Sequence, residues 1–129
     1  MATVKREANR YKGYNQKLRI GPDVVYLRTD NYNDGTLAGI SIDMHKLGTF
    51  TRAMLSCFCV AVSIALKHGV PLSLFAEEFL FTRFSPNGLV TGHKYIKNCT
   101  SVLDLVFRDL AITYLGRDDL KHIIPKKEE

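Results

Sequence analysis

Two stretches early in the chain carry the hydrophobic pattern of β-strands. Residues 24–29 (VVYLRT) are rich in β-branched and aromatic side chains. Farther on, Ile40, Ile42 and Met44 alternate with polar neighbours, which is typical of a strand with one buried face. Residues 31–35 (NYNDG) lie between the two stretches, and Asn, Asp and Gly tolerate the positive φ of tight turns. The pattern predicts a β-hairpin.

After the hairpin the apolar residues are spaced as in helices, and glycine, proline and serine residues mark where these helices begin and end. Gly69 suits the end of a first helix, and Pro71 suits the first turn of a second. Ser101, with Asp104 three residues on, is a variant of the capping box at the start of a third. Residues 117–124 (RDDLKHII) are expected to add one more turn or short helix. The three main helices are predicted over residues 49–68, 72–81 and 101–115.

The first predicted helix is apolar or small on nearly every face, so we expect it to be buried on all sides. One chain of this size supplies few neighbours for such a helix, and a lone hairpin is only marginally stable in water. Self-association removes both deficits. We therefore predict a homo-oligomer, a dimer or a higher assembly such as a hexamer, with the first helix and the hairpin in or near the interface.

These elements predict an α+β fold, an antiparallel N-terminal β-hairpin followed by three to four helices. The 129 residues form one domain, with an extended lead-in over residues 1–20 and a charged tail over residues 117–129. The net charge of +5 is too small to indicate long nucleic acid as a partner.

Cysteine usage and the absence of long apolar segments indicate a cytoplasmic protein. Cys57 and Cys59 point about 200° apart on a helix, which excludes a shared metal, so buried free thiols in a reducing compartment are expected. The first residues are polar, unlike a signal peptide. The longest apolar run, residues 54–66, has 13 residues and is shorter than the ~20 that span a bilayer. No membrane partner is predicted.

Catalytic motifs are missing from the sequence. The four histidines show no metal-ligand spacing, so neither a metal nor another cofactor is expected. Glu77 and Glu78 are adjacent on a predicted helix and diverge by about 100°, which makes a solvated face the better interpretation. We predict that the chain is not an enzyme.

Binding chemistry is better represented. Arg83, Phe84 and Asn98 lie close together along the chain, and Arg117 and Lys121 are four residues apart, so that one helical turn would place both cations on one side. Arginine forks suit phosphates, and an aromatic face with an amide suits a base. Simpler interpretations stay open: Phe84 as a core residue, residues 86–88 as an ordinary turn, and Lys121 as an exposed side chain near the tail. A further open interpretation makes Arg108 the partner of Asp104 in a surface ion pair.

Several motifs together resemble the TSCPD domain, a module of the C-terminal region of cobalamin-dependent ribonucleotide reductases. The similarity covers roughly residues 25–116. It implies no ribonucleotide reduction by this chain alone, because a barrel, a radical-site cysteine environment and paired tail cysteines are not seen. The motifs are DGT at 34–36, K-x-G-T at 46–49, GVPL at 69–72, RF-x-P-x-G at 83–88 and S-x-x-D-x-x-x-R-x-L at 101–110.

A free-standing chain of this kind is also similar to the phage anti-Thoeris proteins, which sequester cyclic ADP-ribose isomers and in some cases cyclic oligonucleotides. That resemblance implies a nucleotide-signal sponge, without catalysis, in the cytoplasm of the host cell. The alternative is an accessory or regulatory module of a cobalamin-dependent ribonucleotide reductase. The implied ligand contacts are Phe84 for stacking, Asn98 as the amide, Arg83, Arg117 and Lys121 as cations, and Arg28 and Arg52 for a second anionic pocket.

Overall fold

The computed structural model describes residues 12–123, which form five strands, three α-helices and a short 3₁₀ turn. The strands make one antiparallel sheet in the order β3-β2-β1-β4-β5. The α+β prediction is therefore confirmed, with a larger sheet than a hairpin. The elements are β1 Asn15–Ile20, β2 Asp23–Asn31, β3 Leu37–Asp43, α1 Thr49–Lys67, α2 Leu72–Phe79, β4 Gly88–Thr91, β5 Asn98–Cys99, α3 Val102–Leu115 and the 3₁₀ turn Asp118–Leu120.

The predicted hairpin is present as β2 and β3. Its turn is held by Asp34, whose carboxylate accepts hydrogen bonds from the backbone N–H and the hydroxyl of Thr36, at 3.0 and 2.6 Å. Gly35 adopts a φ of 86°, which is the left-handed conformation that favours glycine. The Asn-Asp-Gly signal thus predicted both the turn and its mechanism.

The predicted lead-in over residues 1–20 is wrong for its last six residues. Asn15–Ile20 is β1, the middle strand of the sheet, and it pairs with β2 on one side and β4 on the other. Its Leu18 and Ile20 are buried. The part of the lead-in over residues 1–11 lies outside the described residues.

Helix α1 packs along β3 through one face. Ser63 Oγ accepts a hydrogen bond from the Ile40 N–H at 3.1 Å, and Gly39 allows the close approach, because a Cβ there would lie 3.0 Å from that oxygen. Only Cys59 and Val62 of this helix are buried. The prediction that the helix is buried on all sides is therefore wrong: its outer side is apolar and exposed.

By length and composition alone, α1 could cross a membrane, and it is the one helix of residues 12–123 for which this holds. One such helix is weak evidence for a membrane, because a mostly buried core helix of a soluble protein passes the same test; in α1, 17% of the tested window is buried. The cytoplasmic location stays a prediction.

Helix α3 forms the centre of the core. Phe107 is fully buried and contacts the rings of Phe58, Phe75 and Phe79, with centroids 5.3 to 6.5 Å apart. The chain after α3 is also anchored, because Leu120 is buried. This contact corrects the predicted charged tail over residues 117–129 where the structure describes it; residues 124–129 lie outside that part.

The three thiols differ in environment. Cys59 is buried, as predicted, and so is Cys99; burial raises the pKa of each to about 11. Cys57 is exposed, so the prediction of a buried thiol is wrong at that position.

Candidate functional site

The segment of residues 81–88 (FTRFSPNG), called here the 81–88 loop, is fixed to the start of α3 by buried polar groups. Ser101 caps this helix and accepts a hydrogen bond from the Asp104 N–H at 2.9 Å. The fully buried Asp104 carboxylate accepts bonds from the backbone N–H groups of Phe81 and Thr100, at 2.8 and 3.1 Å. One side chain at a helix start thus binds both the loop and the strand end opposite it.

Arg108 lies one turn farther along α3 and adds to these buried polar contacts. It donates to the Leu120 carbonyl at 3.0 Å and to Asp104 at 3.4 Å, and its guanidinium lies 5.2 Å from the centre of the Phe81 ring. Both members of the ion pair are buried, so the interpretation as a surface pair is wrong. Among residues 12–123, its Nε has no hydrogen-bond partner.

The loop itself is held at several points. Phe81 has a φ of 64°, the Phe84 N–H donates to the Thr100 carbonyl at 3.2 Å, and the peptide bond between Ser85 and Pro86 is cis. Thr82 hydrogen-bonds the Ser101 hydroxyl at 2.8 Å. The two hydrogen bonds fix the loop as a defined surface feature.

A shallow pocket of about 400 Å³ opens between this loop and the β4–β5 pair. We call it the loop pocket. Arg83 supplies a guanidinium, and Asn87 and Asn98 supply amides. Within residues 12–123, Arg83 forms no ion pair, so its charge is available to a ligand. The lining suits an anionic group with polar edges. It consists of Arg83, Asn87, Gly88, Leu89, Asn98, Cys99 and Thr100.

Phe84 lies on the surface beside the pocket and does not line it. The residue is 42% exposed, whereas the core is filled by other phenylalanines. The structure thus removes the core interpretation of Phe84, and its role in binding stays a prediction.

Arg117 and Lys121 flank the 3₁₀ turn, and both are already paired. Arg117 makes two hydrogen bonds of 2.9 Å to Asp119, which raise the pKa of Arg117 and lower that of the carboxyl. Lys121 lies 2.9 Å from Asp118 and 4.1 Å from the centre of the Tyr95 ring. Neither residue lines the loop pocket, so the structure does not bring these cations together with Arg83 and Asn98.

Arg28 and Arg52 border two adjoining shallow depressions that share Ser41 and Asp43. Arg52 binds Asp43 through two hydrogen bonds of 3.1 and 2.9 Å, and this pairing lowers the pKa of the carboxyl. Arg28 lies 3.6 Å from Asp30. The two cations line different depressions, and the Asp43 carboxylate that both depressions share would repel an anion. A second anionic pocket at Arg28 and Arg52 stays a prediction.

A buried network that the sequence did not indicate joins Tyr14, the residue before β1, to α3. Asp109 accepts hydrogen bonds from the Tyr14 hydroxyl and from His93 Nε2, the latter at 2.7 Å. His93 Nδ1 accepts from two backbone N–H groups, so the proton lies on Nε2. Burial, and next the Asp109 charge, raise the pKa of Tyr14. Tyr14, His93 and Asp109 are thus all hydrogen-bonded within the fold. The sequence shows a histidine at position 93 but not that it is buried, so it did not predict the network.

A second concavity of about 450 Å³ lies between the hairpin turn and the connection from α1 to α2. Its lining is mainly apolar, with Val70, Leu72 and Tyr114 among its residues, and it contains no cation. It does not offer the charge that the loop pocket offers.

The fold and the loop pocket define a small α+β domain that presents a rigid surface loop. The chain belongs to the TSCPD domain family, whose model matches residues 2–114. The resemblance stated from the motifs is thereby confirmed.

The curated relatives are much longer proteins named vitamin B12-dependent ribonucleotide reductase. The protein of Agrobacterium fabrum is 52% identical over 115 residues, which are 89% of this chain and 9% of the relative. That of Bradyrhizobium diazoefficiens is 50% identical over 91% of this chain and 9% of its own length. That of Rhodopirellula baltica is 37% identical over 80% of this chain and 10% of its own length. No solved structure matches the chain.

These relatives overturn the main functional prediction. The relatives at 50% identity and above are named reductases. They are not nucleotide-signal sponges of phage anti-defence. The resemblance to anti-Thoeris proteins has no support, and with it goes cyclic ADP-ribose as the expected ligand. The chain corresponds instead to a segment that occupies about one tenth of a large enzyme.

Proposed function

We propose that this chain is a non-catalytic accessory or regulatory module of a vitamin B12-dependent ribonucleotide reductase. The observation that carries the proposal is the match of nearly the whole chain, at 52% identity, to 9% of such a reductase. A chain that aligns over about nine tenths of its length at this identity is expected to share the fold and much of the surface of the matching segment, and the rest of the enzyme would supply the chemistry.

The contacts of the buried titratable groups support a binding role. Asp104, Asp109 and His93 are buried, and all three bind backbone or side-chain partners that connect α3 with the 81–88 loop, with Tyr14 and with the segment after β4. Groups that are fully engaged in this way maintain a surface, whereas catalytic acids and bases must be free to exchange protons with a substrate.

The loop pocket is the surface through which we expect this module to act. Arg83 presents an unpaired guanidinium beside Asn98, on a loop that Asp104 fixes from behind. Preorganised donors of this kind lose little entropy on binding. The proposed ligand is an anionic group presented by the reductase, either an acidic side chain or the phosphate of a nucleotide bound to it.

Calorimetric titration tests the proposal. The Agrobacterium fabrum reductase, purified without the segment that this chain matches, is titrated with the chain, in the presence and absence of a ribonucleoside diphosphate. We expect saturable binding. If the diphosphate is required, the phosphate is the ligand; if it is not, an acidic side chain of the reductase is.

The matched variants are Arg83→Ala and Arg117→Ala. A charge-assisted hydrogen bond contributes about 1.5–3 kcal/mol, so Arg83→Ala should weaken binding roughly tenfold or more. Arg117→Ala should leave the affinity nearly unchanged, because Asp119 already occupies that guanidinium. No heat of binding from a chain that is folded by circular dichroism would contradict the module. Equal effects of the two variants would remove the loop pocket from the interface.

A further inference from the structure

The outer side of α1 carries an exposed apolar surface that nothing in the described chain covers. At 100° per residue, six apolar residues lie within about 60° of the direction of Cys57. All seven positions are exposed, and Phe50 at one end is 77% accessible. We call these residues the outer stripe: Phe50, Ala53, Met54, Cys57, Val60, Ala61 and Ile64.

The outer stripe is symmetric about its central residue. Positions at equal distances before and after Cys57 carry side chains of similar kind: two large ones at the ends, two alanines, and two of middle size. An antiparallel helix related to α1 by a two-fold axis through Cys57 would therefore meet a surface that matches its own. The facing pairs would be Phe50 with Ile64, Ala53 with Ala61, Met54 with Val60, and Cys57 with Cys57 of the second copy.

We propose that two copies of this chain pair through the outer stripe, α1 against α1 in antiparallel orientation, with Cys57 at the two-fold axis. Such an interface is isologous, and closed two-fold symmetry is the commonest form of self-assembly. The inference specifies the surface for the oligomer expected from the sequence. It does not rest on the proposed function, and the outer stripe shares no residue with the loop pocket.

The charges on α1 favour a second copy as the occupant. No charged residue occurs between Arg52 and Lys67, so the pairing buries no charge. Arg52 is held at the edge by Asp43. Antiparallel pairing also places the positive end of each helix dipole beside the negative end of the other.

Small side chains allow the two helices to approach closely. Packed helices have axes about 8–10 Å apart, and Cα atoms lie about 2.3 Å from each axis, so facing Cα atoms come to about 3.5–5.5 Å. This range overlaps the Cα separations of about 4.4–6.8 Å that are found in disulfides. The proposed geometry thus predicts that the two Cys57 thiols of a dimer can be cross-linked.

The first test measures the mass of the intact chain by sedimentation equilibrium over a concentration series in reductant. We expect a reversible monomer–dimer equilibrium. Ala61→Glu, which places a charge in the stripe, should raise the dimer dissociation constant roughly tenfold or more. Ser56→Glu is the matched control, because Ser56 is exposed on the same helix about 100° from Cys57, and it should leave the equilibrium unchanged. Melting curves of both variants establish that each is folded.

The second test oxidises the wild-type chain with diamide and reads covalent dimer on a non-reducing gel. Dimer is expected from the wild type and lost in Cys57→Ser, because Cys59 and Cys99 are buried. A monomer at every concentration would overturn the proposal, as would a dimer equally stable in folded Ala61→Glu. The proposal would also be overturned if the chain stayed monomeric and bound the truncated reductase or lipid vesicles instead, and if Ala61→Glu abolished that binding.

Discussion

Helices α1 and α3 reverse the usual relation between composition and burial. Helix α3 contains Asp104, Arg108 and Asp109, yet nine of its 14 residues are buried. Helix α1 has charged residues only near its two ends, yet two of its 19 residues are buried. The apolar helix is the exposed one, and the helix with the charges forms the core.

The difference follows from where each helix lies. Helix α3 contacts α2, β5 and the 3₁₀ turn, and its side chains hydrogen-bond Tyr14, just before β1, and Thr29 in β2. Helix α1 packs on β3, the edge strand of the sheet. Most of α3 is buried within one chain, where its charges are paired, whereas α1 has one apolar side exposed.

The largest expected contrast comes from the same substitution in the two helices. Phe107→Ala empties a fully buried site that other rings surround, and we expect a loss of about 3–5 kcal/mol of unfolding free energy. Phe50→Ala removes a ring that is 77% exposed and should cost less than about 0.5 kcal/mol in dilute, monomeric protein. Urea denaturation followed by circular dichroism measures both. Equal losses would mean that α1 is covered within the chain.

The buried pair of Asp104 and Arg108 on α3 predicts the next-largest effect on the unfolding free energy. Asp104→Asn keeps the shape but removes the charge opposite Arg108 and one acceptor for the loop, and we expect a loss of about 3 kcal/mol. Asp119→Asn breaks an exposed pair and serves as the control, with little change expected. Urea midpoints that agree for the two variants would contradict the structural role of Asp104.

The smallest contrast lies within α1, between its inner and outer thiols. Burial raises the pKa of Cys59 to about 11, so the folded state favours the protonated thiol. The resulting stabilisation is complete below the ordinary pKa near 9 and is lost as pH rises from 9 to 11. Unfolding free energies measured across this range should fall with pH, and less steeply in Cys59→Ala. The exposed Cys57 should react with a thiol reagent in folded protein that is dilute and monomeric. A slope that Cys59→Ala leaves unchanged would show that the Cys59 thiol does not contribute.

Local signals in the sequence predicted the elements that local residues determine. The Asn-Asp-Gly turn predicted the hairpin, and Ser101 with Asp104 predicted the start of α3. Strand β1 was missed because its two core residues, Leu18 and Ile20, are surrounded by polar ones, and β4 and β5 have only four and two residues. Short strands of this kind are defined by their neighbours in the sheet.

The candidate site was predictable only in part, since spacing along the chain does not reveal which charges pair. Arg83 and Asn98 do line one pocket, but Arg117 and Lys121 are held by nearby carboxylates. Spacing of four residues predicted the contact of Asp104 with Arg108, yet such spacing is the same on a surface and in a core. Burial of that pair depends on the 81–88 loop and Leu120, which approach from elsewhere in the chain.

The most direct test of the central claim exchanges this chain for the matching segment of the Agrobacterium fabrum reductase. Ribonucleotide reduction is measured for the intact enzyme, the enzyme without the segment, and the chimera. If this chain is a reductase module, removal of the segment alters the rate or its response to nucleotides, and the chimera restores the behaviour of the intact enzyme. A chimera that is folded and yet behaves like the deleted enzyme, or a deletion without any effect, would contradict the account.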